Sequence, residues 1–181
     1  ILESGYVRFY ELLGFIPKTI SNFTKNVEMI FNKKRDLLIV VGGGSLPPSM
    51  YDRPHEDELQ PNRDRMEEQV IHYCVAHGIP IIATCRGMQY INVMFGGKLW
   101  YHPRLPVART RGMDHQVWLV KEQRNIWVNN YHSDCIYEEG LAPCFEPLAI
   151  DRENHVVEAY GSDEMKILAL QWHPERRFET A

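Results

Sequence analysis

The sequence has no apolar run approaching the roughly 18 residues of a membrane-spanning helix, and no stretch with the pattern of a secretory signal. It has no Cys-x-x-Cys pair: the four cysteines stand at 74, 85, 135 and 144. No two of them stand beside two histidines at finger-like spacing, which excludes a zinc finger and a thioredoxin-type redox motif. Without a secretory context a disulfide framework is not expected either, so the thiols read as reduced and the location as cytoplasmic. There is no excess of one charge, since 20 Lys and Arg face 24 Asp and Glu for a net charge of −4, with both signs mixed along the chain. A nucleic acid or an anionic membrane is therefore excluded as the main partner. No internal repeat, low-complexity tract or linker divides residues 1–181, and the length suits one domain. The chain begins with Ile1 rather than Met, which leads us to expect an N-terminal piece missing.

What is present alternates between two periodicities. Gly5 to Phe15 carries Tyr6, Phe9, Tyr10, Leu12 and Leu13 at helical spacing, ending near Gly14. Phe15 to Ile20, interrupted by Pro17, reads as a short edge strand. Leu37 to Val41 is a continuous Leu and β-branched run closed by Gly42-Gly43-Gly44, the pattern of a strand buried on both faces. Ser45 to Arg65 reads as a long surface loop, and Met66 to His77 as a helix ended by Gly78. Ile81 to Ala83 is a second buried strand, and Arg86 to Phe95 a helix stopped by Gly96-Gly97. Later segments (Gln116 to Val120, Trp127 to Asn129, Leu148 to Ile150, Val156 to Ala159, Ile167 to Gln171) read as an antiparallel or mixed sheet. The order of elements predicts an α/β three-layer sandwich, flavodoxin-like, with a mostly parallel central sheet.

Three segments carry chemistry. In Ile81-Ile82-Ala83-Thr84-Cys85-Arg86-Gly87-Met88-Gln89 a buried strand meets a helix through a tight turn holding one cysteine. This is the layout of a nucleophile elbow, in which the helix dipole favours a thiolate and the N–H of Arg86 is free for a developing oxyanion. A small buried cysteine at a strand end is the other reading of the same pattern. The strand ending at Trp172 delivers His173-Pro174-Glu175. Residues two apart on an extended segment share a face, so Glu175 can hold one imidazole nitrogen while the other faces a thiol. Gly42-Gly43-Gly44 supplies backbone N–H groups at a strand end, as an oxyanion donor, a flexible loop or a phosphate cradle. A P-loop needs Gly-Lys-Ser/Thr further on, where this chain has Leu46-Pro47-Pro48. His55-Glu56-Asp57-Glu58 is read as a solvated loop rather than a metal site, because consecutive residues cannot all face one ion. Trp100, Tyr101, His102 and Pro103 are read either as pocket lining or as surface packing.

Ala83-Thr84-Cys85-Arg86-Gly87-Met88-Gln89, followed by Ile91-Asn92-Val93 and Gly96-Gly97-Lys98-Leu99, resembles class I glutamine amidotransferase-like proteins, and most of all their gamma-glutamyl hydrolase branch. Gln171-Trp172-His173-Pro174-Glu175 matches the terminal Q-W-H-P-E, and Arg63-Asp64 with Glu67 looks like the branch's R-D-x-x-E segment. The resemblance runs from about Leu37 to Glu175. Ala83 departs from the usual Gly, Gly42 stands where relatives often have Ser, and the expected first strand is reduced to Ile1-Leu2.

The resemblance implies Cys85 as nucleophile, His173 as base and Glu175 as its orienter. Gly43 or Gly44 and Arg86 are implied as oxyanion donors, and Gln89, Tyr131, His132 and Ser133 as contacts of the glutamyl group. Asp134 is a further candidate for its ammonium end. The implied reaction is hydrolysis of a γ-glutamyl amide or peptide through a thioester, with no metal and no cofactor. The alternative is a glutaminase subunit delivering ammonia to a synthase partner, and a third reading is a non-enzymatic binding module. A small γ-glutamyl molecule is the expected partner, and a homodimer is compatible with the sequence.

Overall fold

A computed structural model describes residues 4–52, 59–101 and 112–177. Ile1-Leu2, the His55–Glu58 loop, His102 and Pro103 lie outside these described residues. Among the described residues the α-helices are α1 (Ser4–Leu12), α2 (Pro61–Ala76) and α3 (Arg86–Met94). The strands are β1 (Leu38–Val40), β2 (Ile81–Thr84), β3 (Asp114–Leu119), β4 (Arg124–Asn129), β5 (Glu146–Asp151), β6 (Val156–Ser162) and β7 (Ile167–Leu170). They form one seven-stranded sheet in the order β1-β2-β7-β6-β5-β3-β4.

The α/β class stands, and the parallel character belongs to one part of the sheet. β1 pairs β2 in parallel (Val40 with Ala83), and β2 pairs β7 in parallel (Ala83 with Ala169). The remaining pairings, β7 to β6 through to β4, are antiparallel. The sequence predicts a mostly parallel sheet; the structure restricts that arrangement to the three strands that carry the candidate chemistry. Parallel neighbours need a crossover of a dozen or more residues, and α2 supplies it between β1 and β2.

The core follows from the strand pattern. Leu38, Val40, Ile81, Ala83, Ile167 and Ala169 face one side, where Met66, Val70, Ile71 and Cys74 of α2 and Met88, Tyr90 and Ile91 of α3 cover them. Neighbouring strand positions face the other way: Leu170 and Ala159 pack with Val117, Val128 and Ala149. Burying each such side chain removes apolar surface worth about 1.5–3 kcal/mol for a Val or Leu.

Two local readings are corrected. Phe15 to Ile20 forms no strand; Pro17 has no N–H to give to a ladder. The loop after Gly44 ends at Pro61 rather than Arg65, because Pro61 occupies the first helical turn of α2, where a missing N–H costs nothing. That loop is also anchored inward: Leu46 is fully buried, and its N–H donates to the Tyr51 hydroxyl at 3.0 Å.

Candidate active site

Because β1, β2 and β7 run parallel, their carboxyl ends lie at one edge of the sheet. Each is followed by a segment singled out in the sequence: Gly42-Gly43-Gly44 after β1, Cys85 after β2, and His173 shortly after β7. This is where open α/β sheets gather ligands.

Cys85 caps α3 with φ 52° and ψ −110°, a left-handed conformation that a non-glycine residue adopts at a cost of about 1–3 kcal/mol. Its N–H donates to the Leu170 carbonyl at 2.7 Å, tying the turn to β7. Gly87 makes the turn possible: a Cβ there would lie 2.5 Å from the Val40 carbonyl oxygen. Arg86 follows directly as the first residue of α3. The thiol is pushed up to about 12, chiefly by burial and further by the charges of Glu175 and Asp134, against the opposing Arg86 N–H and the Arg176 cation.

His173 Nδ1 lies 2.6 Å from Glu175 Oε1, both residues being buried. The other three sides of this pair are also fixed. Asn129 grips the His173 backbone twice: its Nδ2 donates to the His173 carbonyl at 2.7 Å, and its Oδ1 accepts the His173 N–H at 2.8 Å. The Tyr6 hydroxyl, delivered by α1, lies 3.3 Å from His173 Nδ1 and accepts the Gly42 N–H at 2.9 Å. Burial and the neighbouring Glu175 charge hold that phenol far above its ordinary range, so it stays a neutral donor. The Tyr131 ring packs edge-on to His173 at 5.5 Å, with the Arg176 guanidinium 4.3 Å above Tyr131.

Gly42 locates the meeting point. A Cβ built on it would stand 2.9 Å from His173 Cε1, 2.9 Å from the Tyr6 hydroxyl and 3.5 Å from Cys85 Cβ. A larger residue at Gly42 would therefore press on the imidazole and the phenol. Gly43 and Gly44 lie on the same loop, more exposed. A Cβ on Gly43 would meet the Arg63 guanidinium and, at 3.2 Å, the Arg86 stem.

The expected substrate contacts form a second layer. Gln89 is buried, its Nε2 donating to the Asp134 carbonyl and to Gln171 Oε1, each at 3.2 Å. His132 Nδ1 lies 3.0 Å from the Asp134 carbonyl oxygen, and His132 Nε2 is 3.6 Å from the fully buried Glu158. Ser133 is exposed beside them. The Asp134 carboxylate accepts the Tyr51 hydroxyl at 2.9 Å. Trp100 packs edge-on against Tyr137 at 5.0 Å, and Tyr101 against Tyr51 at 5.5 Å, which places both in packing contacts within the protein. Cys74, Cys85, Cys135 and Cys144 are free thiols, and among the described residues no cluster suits a metal ion.

Sequence reasoning missed Tyr6 and Asn129. Tyr6 reads as one more apolar position on an amphipathic helix, and its hydroxyl meets His173 across 167 residues. Asn129 ends a strand, where Asn is common, and nothing local marks it as a clasp.

Comparison with known proteins gives the site its context. The family model described as Peptidase C26 matches residues 1–175. Protein NtpR of Enterococcus hirae is 30% identical over 88% of this chain and 71% of its own length. Gamma-glutamyl-gamma-aminobutyrate hydrolase PuuD of Escherichia coli is 26% identical over 82% of this chain and 67% of its own length. Among solved structures, a Thermoplasma acidophilum protein described as belonging to a GMP synthase superposes with a TM-score of 0.69. That pair shares 20% identity over 94% of this chain and 77% of the other, a likeness of fold.

Proposed function

The chain belongs to the Peptidase C26 family, and from that membership we propose that it hydrolyses the γ-glutamyl amide bond of a small molecule through a glutamyl thioester on Cys85. The single observation carrying this reading is the convergence on Gly42 of Cys85, with its left-handed φ, and of His173, hydrogen bonded to Glu175. A relative named as a gamma-glutamyl-gamma-aminobutyrate hydrolase gives the acyl group its chemical class.

In this mechanism the γ-carbonyl carbon is attacked by the Cys85 sulfur while His173 takes the thiol proton. Burial raises that thiol's pKa, so His173 is the base that draws its proton as the bond to carbon forms. Glu175 holds the resulting imidazolium by its Nδ1 proton, with the Tyr6 hydroxyl 3.3 Å from the same nitrogen. The developing oxyanion takes the N–H of Arg86 and one from Gly43 or Gly44. His173 then gives the proton to the leaving amine, and water, deprotonated by the same imidazole, cleaves the thioester to release glutamate. Gln89 and the Tyr131-His132-Ser133 segment hold the α-amino and α-carboxylate end of the glutamyl group.

The test is a panel of γ-glutamyl amines, with glutamine included, assayed for glutamate release. Turnover of at least one γ-glutamyl amine that is abolished in Cys85→Ser supports the reading. Glutamine turnover appearing only when a synthase is added would transfer the chain to the glutaminase alternative, and turnover unaffected by Cys85→Ser would refute the mechanism.

A further inference from the structure

The two proposed arms of the oxyanion pocket come from different strands, and one carboxylate holds both. Glu67, on α2, accepts Arg63 Nε on its Oε1 at 2.6 Å and Arg86 Nη1 on its Oε2 at 2.6 Å. From that shared anchor Arg63 reaches the glycine loop: its Nη2 donates to the Val41 carbonyl at 2.6 Å, one residue before Gly42. Its guanidinium lies against the Cα of Gly43, in the space a Cβ would fill, and the Arg86 stem closes the same space from the other side. Arg86 is held again by Asp64, and its side chain is only 1% exposed. Arg86 is also the residue that follows Cys85 and opens α3, so its backbone N–H belongs to the first turn of that helix.

We infer that Glu67 and Arg63 are positioning residues that lock the Gly42–Gly44 loop and the Arg86 peptide into one rigid oxyanion pocket. This rests on the γ-glutamyl hydrolase reading above. Two arginines and two carboxylates balance in charge, so the buried Arg86 cation is compensated without help from the substrate. A planar guanidinium that bonds a carboxylate and a carbonyl at once fixes direction as well as distance. A pocket made of backbone N–H groups works only if those groups do not reorganise as charge develops, and a misplacement of about 1 Å costs on the order of 100-fold. Glu67 holds the loop only through Arg63, so its effect falls on the transition state rather than on substrate docking.

The experiment uses the whole chain with wild type, Glu67→Gln and Arg63→Lys, the last keeping the cation but not the fork. Three quantities are read: kcat, KM, and affinity for a γ-glutamyl aldehyde, which adds the Cys85 sulfur to form a tetrahedral oxyanion. Glu67→Gln is expected to lower kcat about 10- to 100-fold with KM within about twofold. Aldehyde affinity falls in parallel with kcat, while affinity for an uncleaved substrate in a Cys85→Ala background does not change. Arg63→Lys gives the same pattern to a smaller degree, and it carries the test alone if Glu67→Gln fails to fold. Folded variants with unchanged kcat and aldehyde affinity, or with KM and kcat falling together, overturn the inference while leaving the hydrolase reading intact. A wild-type protein that forms no adduct at Cys85 and hydrolyses no γ-glutamyl compound overturns both.

Discussion

The parallel and antiparallel portions of the sheet share one hydrogen-bonded frame and do different work. β1, β2 and β7 are short strands of three or four residues, and each is followed within three residues by a residue or loop proposed to carry chemistry. β3 to β6 are six or seven residues long, pair antiparallel, and bury Val117, Val128, Ala149 and Ala159 as a separate apolar cluster. The parallel portion accepts strain at Cys85 and a tight packing of Gly42 against His173, where the antiparallel portion satisfies ordinary packing. The antiparallel portion still reaches the site through loops and strand ends: Asn129 at the end of β4, then Tyr131 to Asp134, and Glu158 beneath His132. The candidate site's geometry therefore comes from the ends of short strands, with longer antiparallel strands beside them supplying further residues through their ends and loops.

The sharpest way to break this division is at its chemical end. Cys85→Ala is expected to abolish glutamate release by about 10⁴-fold or more while the protein still unfolds within a few degrees of the wild-type temperature. The backbone conformation at position 85 is kept, and only one buried atom is lost. Glutamate release and thermal unfolding of the same preparation check both halves. Gly42→Ala comes next. The added Cβ pushes on His173 Cε1 and the Tyr6 hydroxyl at 2.9 Å, and kcat is expected to fall about 100-fold with little change in unfolding temperature. Were both glycines of this region merely structural, Gly42→Ala and Gly87→Ala would behave alike. Gly87→Ala instead drives a Cβ into the Val40 carbonyl at 2.5 Å and is expected to cost about 1–3 kcal/mol of stability, read by denaturant unfolding.

On the antiparallel side, Val117→Ala removes a side chain that is 1% exposed. A loss of about 1–2 kcal/mol of stability with kcat within about twofold is expected. A large fall in kcat there would erase the contrast between the two portions.

A smaller effect concerns pH. The Cys85 thiol rises from an unfolded value of about 8.5 to about 12 in the folded protein, mainly through burial. The unfolded chain loses that proton first, so the group's contribution to stability is complete below pH ~8.5 and is lost as pH rises toward ~12. Cys85→Ala removes this slope, which pH-dependent denaturation of the two proteins measures. By the same reasoning, iodoacetamide should label Cys85 of the free protein slowly near neutrality, with a rate still climbing above pH ~9.

The parallel portion is the more legible in sequence, because its signals are local. A run of Leu, Ile and Val closed by glycines marks β1, and the small residues around Cys85 mark the elbow. His173 and Glu175 sit two residues apart, so their shared face follows from strand geometry alone. The antiparallel strands are visible as segments, but their order in the sheet is not, since pairing partners lie far apart in the chain. Tyr6, Asn129 and the Arg63–Glu67–Arg86 bridge escape a reading of the sequence for a related reason: each acts through contacts between elements. A tyrosine on a helix reads the same whether its hydroxyl faces water or His173. Pro17 and Pro61 show the opposite failure, where a local rule is available: the first breaks an expected strand and the second begins a helix earlier than its apolar face suggests.

The central claim is that Cys85 carries the glutamyl group during turnover. It is tested most directly by acid-quenching the protein during hydrolysis of an accepted γ-glutamyl amine and weighing the peptide that contains Cys85. The account predicts a mass gain of one glutamyl group on that peptide, lost on further incubation with release of glutamate and absent from Cys85→Ala. Turnover that proceeds with Cys85 never modified, at quench times shorter than one catalytic cycle, would contradict it.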